Sequence, residues 1–306
     1  MVPVHDLIVI GAGPAGLTAG LYAGRAKLRT VIIEKNAPGG ELMDRDLIEN
    51  YPGYPNGILG PELGSKMVDQ VLKYGTEIQF GEVTQVRING NNKMVRTSEG
   101  DYLCKAIIIA GGAHPKKLGV PGEEEYADKG VFYCATCDGP NFTNKEVAVA
   151  GGGNSGLTEA LFLATLASRV IIIELLPYLS GDKILQERVF AEPRIEVRCG
   201  IKIENIQGDK QVKALDLTDI KTGQKSVLEA GGILVHVGLD VNTDYLRGSI
   251  PLSEKGQILV GERMETGTPG ILAAGDIRHN SPMQIATAVG DGAIAALSLE
   301  NYLRSL

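Results

Sequence analysis

Residues 7–16 read LIVIGAGPAG, an apolar run followed by a glycine-rich turn, and this stretch decides the fold. The run Leu7 to Ile10 is typical of a parallel strand that is buried on both faces. A helix-compatible stretch over 17–27 follows the turn, and a second apolar run over 30–33 ends in Glu34. Together these segments predict a βαβ unit with an acidic residue at the tip of its second strand.

The spacing of the glycines has a physical reason that points to a bound dinucleotide. Gly11 permits the tight turn, Gly13 lets a pyrophosphate approach the backbone, and Gly16 lets the helix pack closely on the strand. The phosphates then face the N–H groups at the start of the helix. Glu34 is placed to accept hydrogen bonds from a ribose 2′-hydroxyl.

The same pattern recurs 140 residues later. An apolar run over 147–150 precedes the turn Gly151-Gly152-Gly153-Asn154-Ser155-Gly156, and a helix-compatible stretch then leads to the run 170–173 and Glu174. A glycine turn in an ordinary core βα unit readily mimics one such motif. Two copies in register favour two dinucleotide-type domains.

A further strand and helix follow the second copy. Residues 271–274 form an apolar run that ends in Gly275-Asp276, and the apolar periodicity predicts a helix over 284–303. Because this segment lies outside both repeats, we predict that the first domain is discontinuous and the second is inserted into it. The predicted boundaries are 1–115 and 244–306 for the first domain and 116–243 for the second.

The composition excludes several classes of protein. Of the 306 residues, 40 are glycine, which fits tight βα turns, and 43% are hydrophobic, which excludes disorder as the dominant state. The net charge is −7 without any basic tract, so we expect no nucleic-acid partner. No apolar run approaches the ~20 residues of a membrane span, and Met1 to Asp6 lack the basic start of a signal peptide. We therefore expect a cytoplasmic protein with no membrane partner.

Cys134 and Cys137 form a CxxC pair, which can be half of a zinc site, a redox dithiol or two packed thiols. Structural zinc takes four ligands, and the chain has neither a second CxxC nor an HxxxH, so we expect no metal site. CxxC beside βαβ units favours disulfide exchange. Asp138 follows the pair and could shuttle the proton of each exchange, although an aspartate at a turn or helix start is the alternative.

The remaining cysteines and histidines are given structural roles, with the exception of His114. Cys104, ahead of the strand-like run 106–110, and Cys199, after a strand, are predicted to be packed thiols. His114 follows Gly111-Gly112 at the end of a strand, where doubly wound sheets bind ligands, and is a candidate for contact with a cofactor. His236 is interpreted as a structural or surface residue.

Taken together, the motifs resemble the low-molecular-weight thioredoxin reductase family over essentially the whole chain. The matching segments are residues 11–16, 39–42, 49–53 and 134–139, and Ala274-Gly275-Asp276 with the helix after it. The resemblance implies an FAD-dependent homodimer that reduces thioredoxin, with an α/β fold of two Rossmann-like dinucleotide-binding domains of the three-layer ββα type. It also implies that Cys137 faces the flavin, that Cys134 exchanges with the substrate disulfide and that Asp138 is the acid/base.

The resemblance assigns FAD to the first domain. The residues then predicted to bind it lie in the first glycine-rich loop, at the tip of the second strand and in or near the matching segments: Gly11, Gly13, Pro14, Ala15, Gly16, Glu34, Lys35, Gly40, Glu41, Leu42, Asn50, Val83, Gly111, His114, Gly275, Asp276, Gln284 and Ile285.

The chain departs from the NADPH-using members of that family after the second glycine-rich turn. Those members carry His-Arg-Arg and a further Arg there, whereas this chain reads Glu174-Leu175-Leu176-Pro177-Tyr178-Leu179-Ser180, with no basic residue before Lys183. A 2′-phosphate normally receives charge-assisted hydrogen bonds of ~1.5–3 kcal/mol each. Losing two or three of them costs roughly 3–9 kcal/mol, at least about a hundredfold in affinity. Glu174 would also repel the phosphate, so NADPH is disfavoured.

Two interpretations of the second loop stay open. Gly156, where NADPH-binding relatives usually carry Ala, favours NADH when combined with Glu174. A vestigial site with the same Gly151, Gly153, Gly156 and Glu174 would look identical, and the leucines after Glu174 offer a nucleotide little polar surface. Met283-Gln284-Ile285 likewise replaces the Arg-Gln-Ala of the family beside the flavin.

In these departures the chain resembles the branch of the family that does not use pyridine nucleotides, which includes the ferredoxin-dependent flavin thioredoxin reductases. We therefore predict reduced ferredoxin as the electron donor, with NADH as the alternative and a dithiol sensor without turnover as a third hypothesis. Ferredoxins are usually acidic, so their docking patch should be basic. Candidates for such a patch are Arg188, Arg194, Arg198 and Lys202, for which an ordinary solvated face is the alternative.

Overall fold

The computed structural model describes residues 4–45, 47–90 and 92–306 and divides the chain into two compact units. The first unit comprises Met1–His114 and Val241–Leu306, and the second comprises Pro115–Asp240. The part of the N-terminal prediction that rests on Met1 to Pro3 lies outside the described residues. Within the described ranges, no helix is both long enough and apolar enough to cross a membrane.

The α-helices of the described residues are α1 (Pro14–Arg25), α2 (Gly60–Lys73), α3 (Ala135–Asp138), α4 (Asn154–Ala164), α5 (Lys183–Ala191) and α6 (Ile285–Arg304). The strands are β1 (Val4–Ile10), β2 (Thr30–Glu34), β3 (Leu47–Ile48), β4 (Ile58–Leu59), β5 (Glu77–Phe80), β6 (Val83–Asn89), β7 (Asn92–Thr97), β8 (Gly100–Ile109), β9 (Ala113–Pro115), β10 (Val131–Phe132), β11 (Glu146–Ala150), β12 (Arg169–Glu174), β13 (Ile195–Cys199), β14 (Ile201–Gly208), β15 (Val212–Asp219), β16 (Lys225–Glu229), β17 (Gly232–Val235), β18 (Leu239–Val241) and β19 (Ile271–Ala273).

The first unit is built on a sheet with the strand order β5-β2-β1-β8-β7-β6, in which β19 also pairs with β8. In β1, Leu7 and Val9 pack into a core cluster with residues of α1 and α6, while Ile8 and Ile10 face a second cluster. Burial of both faces explains the unbroken apolar run. Strand β8 is longer than predicted and contains Cys104, so the prediction that Cys104 precedes this strand was wrong.

The second unit has three layers. Its parallel sheet has the order β10-β17-β11-β12-β13. Residues of α3, α4 and α5 pack into a core cluster on one face, and residues of the antiparallel strands β14, β15 and β16 pack into a cluster on the other. The predicted α/β fold, with a parallel sheet in each dinucleotide-type unit, is confirmed. Cys199 is the last residue of β13 rather than a residue that follows a strand.

The chain passes from one unit to the other twice, between residues 114 and 115 and between residues 240 and 241. These points fall within β9 and β18, which pair with each other as a two-stranded sheet. The sequence placed the joints near residues 115 and 244.

Candidate active site

The first glycine-rich loop, residues 11–16, connects β1 to α1 and leaves open space beside its backbone. Gly11 has a φ of +99°, a conformation that favours glycine, and a Cβ on Gly16 would meet the carbonyl oxygen of Gly11. A Cβ on Gly13 would meet nothing within 4 Å. Pro14 and Ala15 begin α1, in whose first turn the N–H groups have no intrahelical acceptors. The loop therefore has the room and the donors that a phosphate group requires.

Glu34, the last residue of β2, is hydrogen-bonded to this loop. Its Oε2 accepts a hydrogen bond from the Ala12 N–H at 2.7 Å, and its Oε1 accepts one from the Asn36 N–H at 2.8 Å. An ionised carboxylate has about four acceptor positions. These two bonds therefore leave capacity for a ribose hydroxyl.

An open cavity of about 500 Å³ lies beyond the tip of β2. Lys35, one of its lining residues, forms an exposed ion pair with Glu82 at 3.6 Å, and Val83 begins β6 immediately after this part of the lining. The complete lining is Lys35, Asn36, Phe80, Gly81, Glu82, Ser98 and Glu99. The lining includes Lys35 and Asn36, which directly follow Glu34 in the chain, but not Glu34 itself.

The short 3-10 helix Gly40–Asp44 packs on the first glycine-rich loop. The N–H of Gly39 donates to the carbonyl of Ala12 at 2.8 Å. A Cβ on Gly40 would lie only 3.0 Å from the Cα of Gly13. Glycine at position 40 thus permits the close approach that brings this predicted segment to the loop.

The start of α6 joins the same region of the first unit. The side-chain amide of Asn50 donates to Oε1 of Gln284 at 3.0 Å. Ile285 packs against the buried cluster that contains Leu42. Glu41, the neighbour of Leu42, forms an ion pair with Arg45 at 3.5 Å. Two long-range contacts, Asn50 with Gln284 and Ile285 with the cluster of Leu42, therefore bring together residues that the sequence predicted to bind one cofactor.

The Gly275-Asp276 turn lies against the first turn of α1. A Cβ on Gly275 would lie 2.8 Å from the Cβ of Ala15, and the Gly275 N–H donates to Oδ2 of Asp291 at 3.1 Å. Asp291 is in turn held by a buried ion pair with Arg278 at 2.5 Å. Burial, with the nearby charge of Asp291, raises the pKa of Asp276. Sequence reasoning missed the Arg278–Asp291 pair, which has no local motif.

Gly111 follows β8, and a Cβ on it would lie 3.3 Å from Cδ1 of Ile277 and 3.4 Å from the hydroxyl of Tyr245. This hydroxyl is buried, and no hydrogen-bond partner for it lies among residues 4–45, 47–90 and 92–306. Burial raises the pKa of Tyr245, which keeps the hydroxyl a neutral donor. An orphaned donor beside this loop fits a polar group of a bound cofactor. His114 is exposed in β9, and its contact with a cofactor stays a prediction.

In the second unit, Cys134 and Cys137 are joined by a disulfide bond. Cys134 caps the short helix α3, its Sγ accepting a hydrogen bond from the Cys137 N–H at 3.2 Å, and the Thr136 hydroxyl lies 3.3 Å from the same sulfur. Cys137 is exposed, whereas Cys134 is half-buried. This geometry supports the redox interpretation over the zinc interpretation, because the bond engages both sulfurs.

Asp138, the last residue of α3, lies next to the disulfide in the chain. Burial, together with the negative charge of Asp128, raises the pKa of its carboxyl group. A raised pKa favours the protonated form, which is the form that can donate a proton to a leaving thiolate.

The second glycine-rich loop, residues 151–156, is crowded at Gly152, although a Cβ on Gly153, the counterpart of Gly13, would meet only the Ser180 Oγ at 3.7 Å. The buried carboxylate of Glu174 accepts hydrogen bonds from the Gly152 N–H at 2.5 Å and from the Leu176 N–H at 2.7 Å. A Cβ on Gly152 would lie 2.5 Å from Cδ2 of Leu179 and 3.0 Å from Oε2 of Glu174. The N–H of Ser180 donates to the carbonyl of Gly152 at 3.0 Å. The segment after Glu174 therefore folds back on this loop.

The same segment presents an apolar and acidic surface. The side chains of Leu175, Leu176 and Tyr178 are exposed. Asp182 accepts a hydrogen bond from the Asn154 side chain at 3.1 Å, which brings a second carboxylate to the start of α4. A phosphate at this loop would meet two carboxylates and, between residues 174 and 182, no cation.

The two remaining thiols do not have the surroundings of reactive cysteines. Burial raises the pKa of Cys104 to about 12. Burial, with the charge of Glu174, also raises the pKa of the partly buried Cys199. Both residues therefore agree with the predicted packing role.

The proposed basic patch is not a free positive surface. Arg194 forms an ion pair with Glu192, Arg198 with Glu196, and Lys202 with Glu204. Arg188, on α5, also has an interaction partner. These residues therefore fit an ordinary solvent-exposed surface better than a docking patch for ferredoxin.

Comparison with known proteins identifies the family. The model of the pyridine nucleotide-disulphide oxidoreductase family matches residues 5–292. The thioredoxin reductase of Bacillus subtilis is 40% identical over 304 residues, which are 99% of this chain and 96% of that protein. A protein of the rubredoxin operon of Clostridium pasteurianum is 38% identical over 299 residues, 97% of each chain.

Solved structures agree. The thioredoxin reductase of Lactococcus lactis has a TM-score of 0.97 at 40% identity, covering 99% of this chain and 100% of its own. A ferredoxin-flavin thioredoxin reductase of Clostridium acetobutylicum has a TM-score of 0.56 at 29% identity and covers 100% of both chains. With its glycine-rich loops and its Cys134–Cys137 disulfide, this chain belongs to the pyridine nucleotide-disulphide oxidoreductase family and, within it, to the flavoprotein oxidoreductases of the thioredoxin reductase type.

Proposed function

We propose that the protein is an FAD-dependent thioredoxin reductase that receives its electrons from reduced ferredoxin rather than from NADPH. The observation that carries the reductase assignment is the Cys134–Cys137 disulfide with Asp138 beside it, in a chain that is 40% identical to a thioredoxin reductase over nearly its full length. The donor assignment rests on the surroundings of Glu174.

The first unit has the residues to hold FAD. The pyrophosphate would lie at the open backbone of Gly13 and the start of α1, and the ribose would bind the free lone pairs of Glu34. The buried hydroxyl of Tyr245 and the Gly275-Asp276 turn would supply further polar contacts. When bound, FAD would supply the electron pair that reduces the disulfide of the second unit.

The reduced dithiol would then act on the thioredoxin disulfide by two exchange steps. The Cys134 thiolate attacks one thioredoxin sulfur, which forms a mixed disulfide and expels the other sulfur as a thiolate that takes a proton from Asp138. The Asp138 carboxylate takes the proton of Cys137, whose thiolate attacks Cys134 and restores the Cys134–Cys137 disulfide. The second thioredoxin sulfur leaves, takes this proton and is released as a thiol. Two electrons pass to thioredoxin, and the enzyme dithiol is oxidised by two.

The donor proposal follows from the second glycine-rich loop. The 2′-phosphate of NADPH would meet the carboxylate of Glu174, and residues 175–182, which follow it, contain no lysine or arginine. NADH, which lacks this phosphate, is the second candidate because Glu174 stands where a carboxylate reads a ribose. Glu174 makes the same two backbone hydrogen bonds as Glu34, but its side chain is buried, whereas Glu34 is only partly buried, and Leu175 beside Glu174 is apolar and exposed.

Ferredoxin is a donor of suitable strength. Low-potential ferredoxins near about −400 mV and thioredoxin near about −270 mV differ by ~130 mV, which is ~6 kcal/mol for two electrons. Two reduced ferredoxins supply the two electrons that one disulfide requires. A ferredoxin-flavin thioredoxin reductase among the similar structures adds support. The homodimer implied by the resemblance and the cytoplasmic location expected from the sequence stay predictions.

Replacement of the cysteines tests the proposed reaction. We expect Cys134→Ser to abolish ferredoxin-driven thioredoxin reduction while the flavin stays bound, and Cys137→Ser also to block electron transfer from the flavin. Cys199→Ser, a partly buried thiol of the same unit, is the matched control and should keep the wild-type rate. Full activity of Cys134→Ser would overturn the assignment, and a wild-type protein that stops after one cycle would indicate the sensor hypothesis instead.

A further inference from the structure

A buried carboxylate of the second unit is bonded to the backbone of the CxxC segment. Glu159 lies on α4, and its Oε2 accepts a hydrogen bond at 2.9 Å from the N–H of Ala135, the residue that follows Cys134. Ala135 is fully buried, and the Glu159 side chain is 10% exposed.

The same carboxylate meets a histidine that follows β17. Nε2 of His236 lies 2.9 Å from Oε2 of Glu159, at ion-pair distance but outside hydrogen-bond alignment. The His236 side chain is 5% exposed. Burying a carboxylate is costly unless hydrogen bonds compensate it, and the Ala135 N–H supplies one.

The bond to Ala135 acts on the geometry around the sulfur of Cys134. Helix α3 begins at Ala135, and its conformation directs the Cys137 N–H and the Thr136 hydroxyl at Sγ of Cys134. Such donors stabilise a thiolate. A displaced Ala135 would move both donors, because they follow it directly in the chain.

We propose that Glu159 is a positioning residue for the dithiol, holding the CxxC segment through the Ala135 N–H so that two donors stay on the Cys134 sulfur. His236, which follows β17, lies beside the same carboxylate oxygen. The proposal rests on the proposed function only in taking Cys134 as the exchanging thiol. Glu159 would act through Ala135 and would touch neither thioredoxin nor flavin.

Two substitutions separate the hydrogen bond from the charge. Glu159→Gln keeps a carbonyl acceptor for Ala135 but removes the charge, whereas Glu159→Leu removes both and fills a similar volume. Leu217→Ala, a buried residue of β15 in a different core cluster, is the control for a general loss of stability. If Glu159→Leu does not fold, Glu159→Met serves in its place.

The measurement is the pH dependence of Cys134 alkylation by iodoacetamide in the reduced holoenzyme, with peptide mass spectrometry to assign the modified sulfur. We expect Glu159→Leu to alkylate about tenfold more slowly near neutral pH, which corresponds to a thiol pKa raised by about one unit. Glu159→Gln and Leu217→Ala should keep the wild-type profile, and the flavin spectrum should not change in any variant.

Three outcomes would overturn the proposal. A wild-type profile for Glu159→Leu would mean that the bond to Ala135 does not act on the sulfur. Faster alkylation in both Glu159 variants would mean that the charge, and not the hydrogen bond, governs the thiol. An equal shift in Leu217→Ala would reduce the role of Glu159 to stability. Because the assay uses neither thioredoxin nor an electron donor, its failure is distinct from failure of the proposed function, which wild-type turnover tests.

Discussion

The two glycine-rich loops share a backbone design but differ in what surrounds them. The first glycine of each has a positive φ, +99° at Gly11 and +109° at Gly151, and each loop receives a carboxylate from the tip of the next strand. A Cβ on Gly13 would meet nothing within 4 Å, and one on its counterpart Gly153 would meet only the Ser180 Oγ at 3.7 Å, so the loops differ at Gly152, which Leu179 and Glu174 crowd. The fold alone therefore does not decide what each unit binds; the residues after the strand tip do.

The difference also separates the tasks of the two units. The first loop lies among the 3-10 helix, the Gly275-Asp276 turn and the start of α6, all of which the sequence associated with a cofactor. The second unit instead carries a disulfide, an aspartate of raised pKa and a buried carboxylate bonded to the dithiol segment. We interpret the second unit as a dithiol carrier that retains the architecture of a dinucleotide-binding domain.

The largest expected effect on cofactor binding comes from the third glycine of the first loop, with the third glycine of the second loop as its control. A Cβ on Gly16 would collide with the carbonyl of Gly11, and a Cβ on Gly156 would collide with the carbonyl of Gly151. We expect Gly16→Ala to weaken FAD binding roughly a hundredfold, about 2.7 kcal/mol, as measured by flavin release in ultrafiltration. Gly156→Ala should keep its flavin. Flavin loss in Gly156→Ala alone would reverse the roles of the two loops.

The dithiol role of the second unit predicts a pH effect at Asp138. Because burial raises the pKa of Asp138, its proton persists to a higher pH than that of an ordinary aspartate, and the exchange rate should fall as pH rises through this pKa. Asp138→Asn cannot donate the proton, so we expect a rate lower by about a hundredfold and no such fall. Single-turnover thioredoxin reduction at a series of pH values measures both. If the exchange rate of Asp138→Asn falls over the same pH range as that of the wild type, Asp138 is not the proton donor.

A gain-of-function change would sharpen the comparison of the loops. We expect the triple variant Glu174→His, Leu175→Arg and Leu176→Arg to tighten NADPH binding by about a hundredfold, since two charge-assisted bonds to a 2′-phosphate contribute ~3 kcal/mol or more. Leu175 and Leu176 are exposed, so arginine is tolerated sterically at both positions. Equilibrium dialysis with NADPH measures the change, and NADH is the control because its affinity should not rise equally.

The smallest expected effect on rate distinguishes the two carboxylates at the strand tips. Glu174→Ala should leave the ferredoxin-driven rate unchanged, although it removes the acceptor of the Gly152 and Leu176 N–H groups and costs about 1–3 kcal/mol for each unpaired donor. Glu34→Ala should instead weaken FAD binding. Turnover and thermal unfolding of both variants check this. A large loss of rate in Glu174→Ala would reinstate a nucleotide at the second loop.

The parts of the fold that the sequence predicted correctly are those with local motifs. Each glycine turn with its strand, and the CxxC pair, lies within about ten residues of sequence. The 140-residue repeat shows that the two turns belong to two similar units. The length of β8 was underestimated because its first half, Gly100 to Cys104, lacks the continuous apolar run of the second half and pairs antiparallel with β7.

The contacts that the sequence did not predict join residues that are far apart in the chain. Glu159 reaches Ala135 from another helix, and Arg278 reaches Asp291 from a loop, in both cases without a recognisable spacing. His236, interpreted from sequence as structural or surface, is a buried partner of Glu159. Such pairs depend on how helices, strands and loops pack against each other. They have no regular spacing in the sequence from which they could be predicted.

One measurement tests the central contrast between the two loops most directly. Flavin absorbance is followed under anaerobic conditions while NADPH, then NADH and then chemically reduced ferredoxin are added, with oxidised thioredoxin present. We predict that only ferredoxin bleaches the flavin and sustains thioredoxin reduction. Rapid bleaching by NADPH or NADH at micromolar concentrations would contradict the account, because the second loop would then bind the nucleotide that its crowded, acidic surroundings are proposed to exclude.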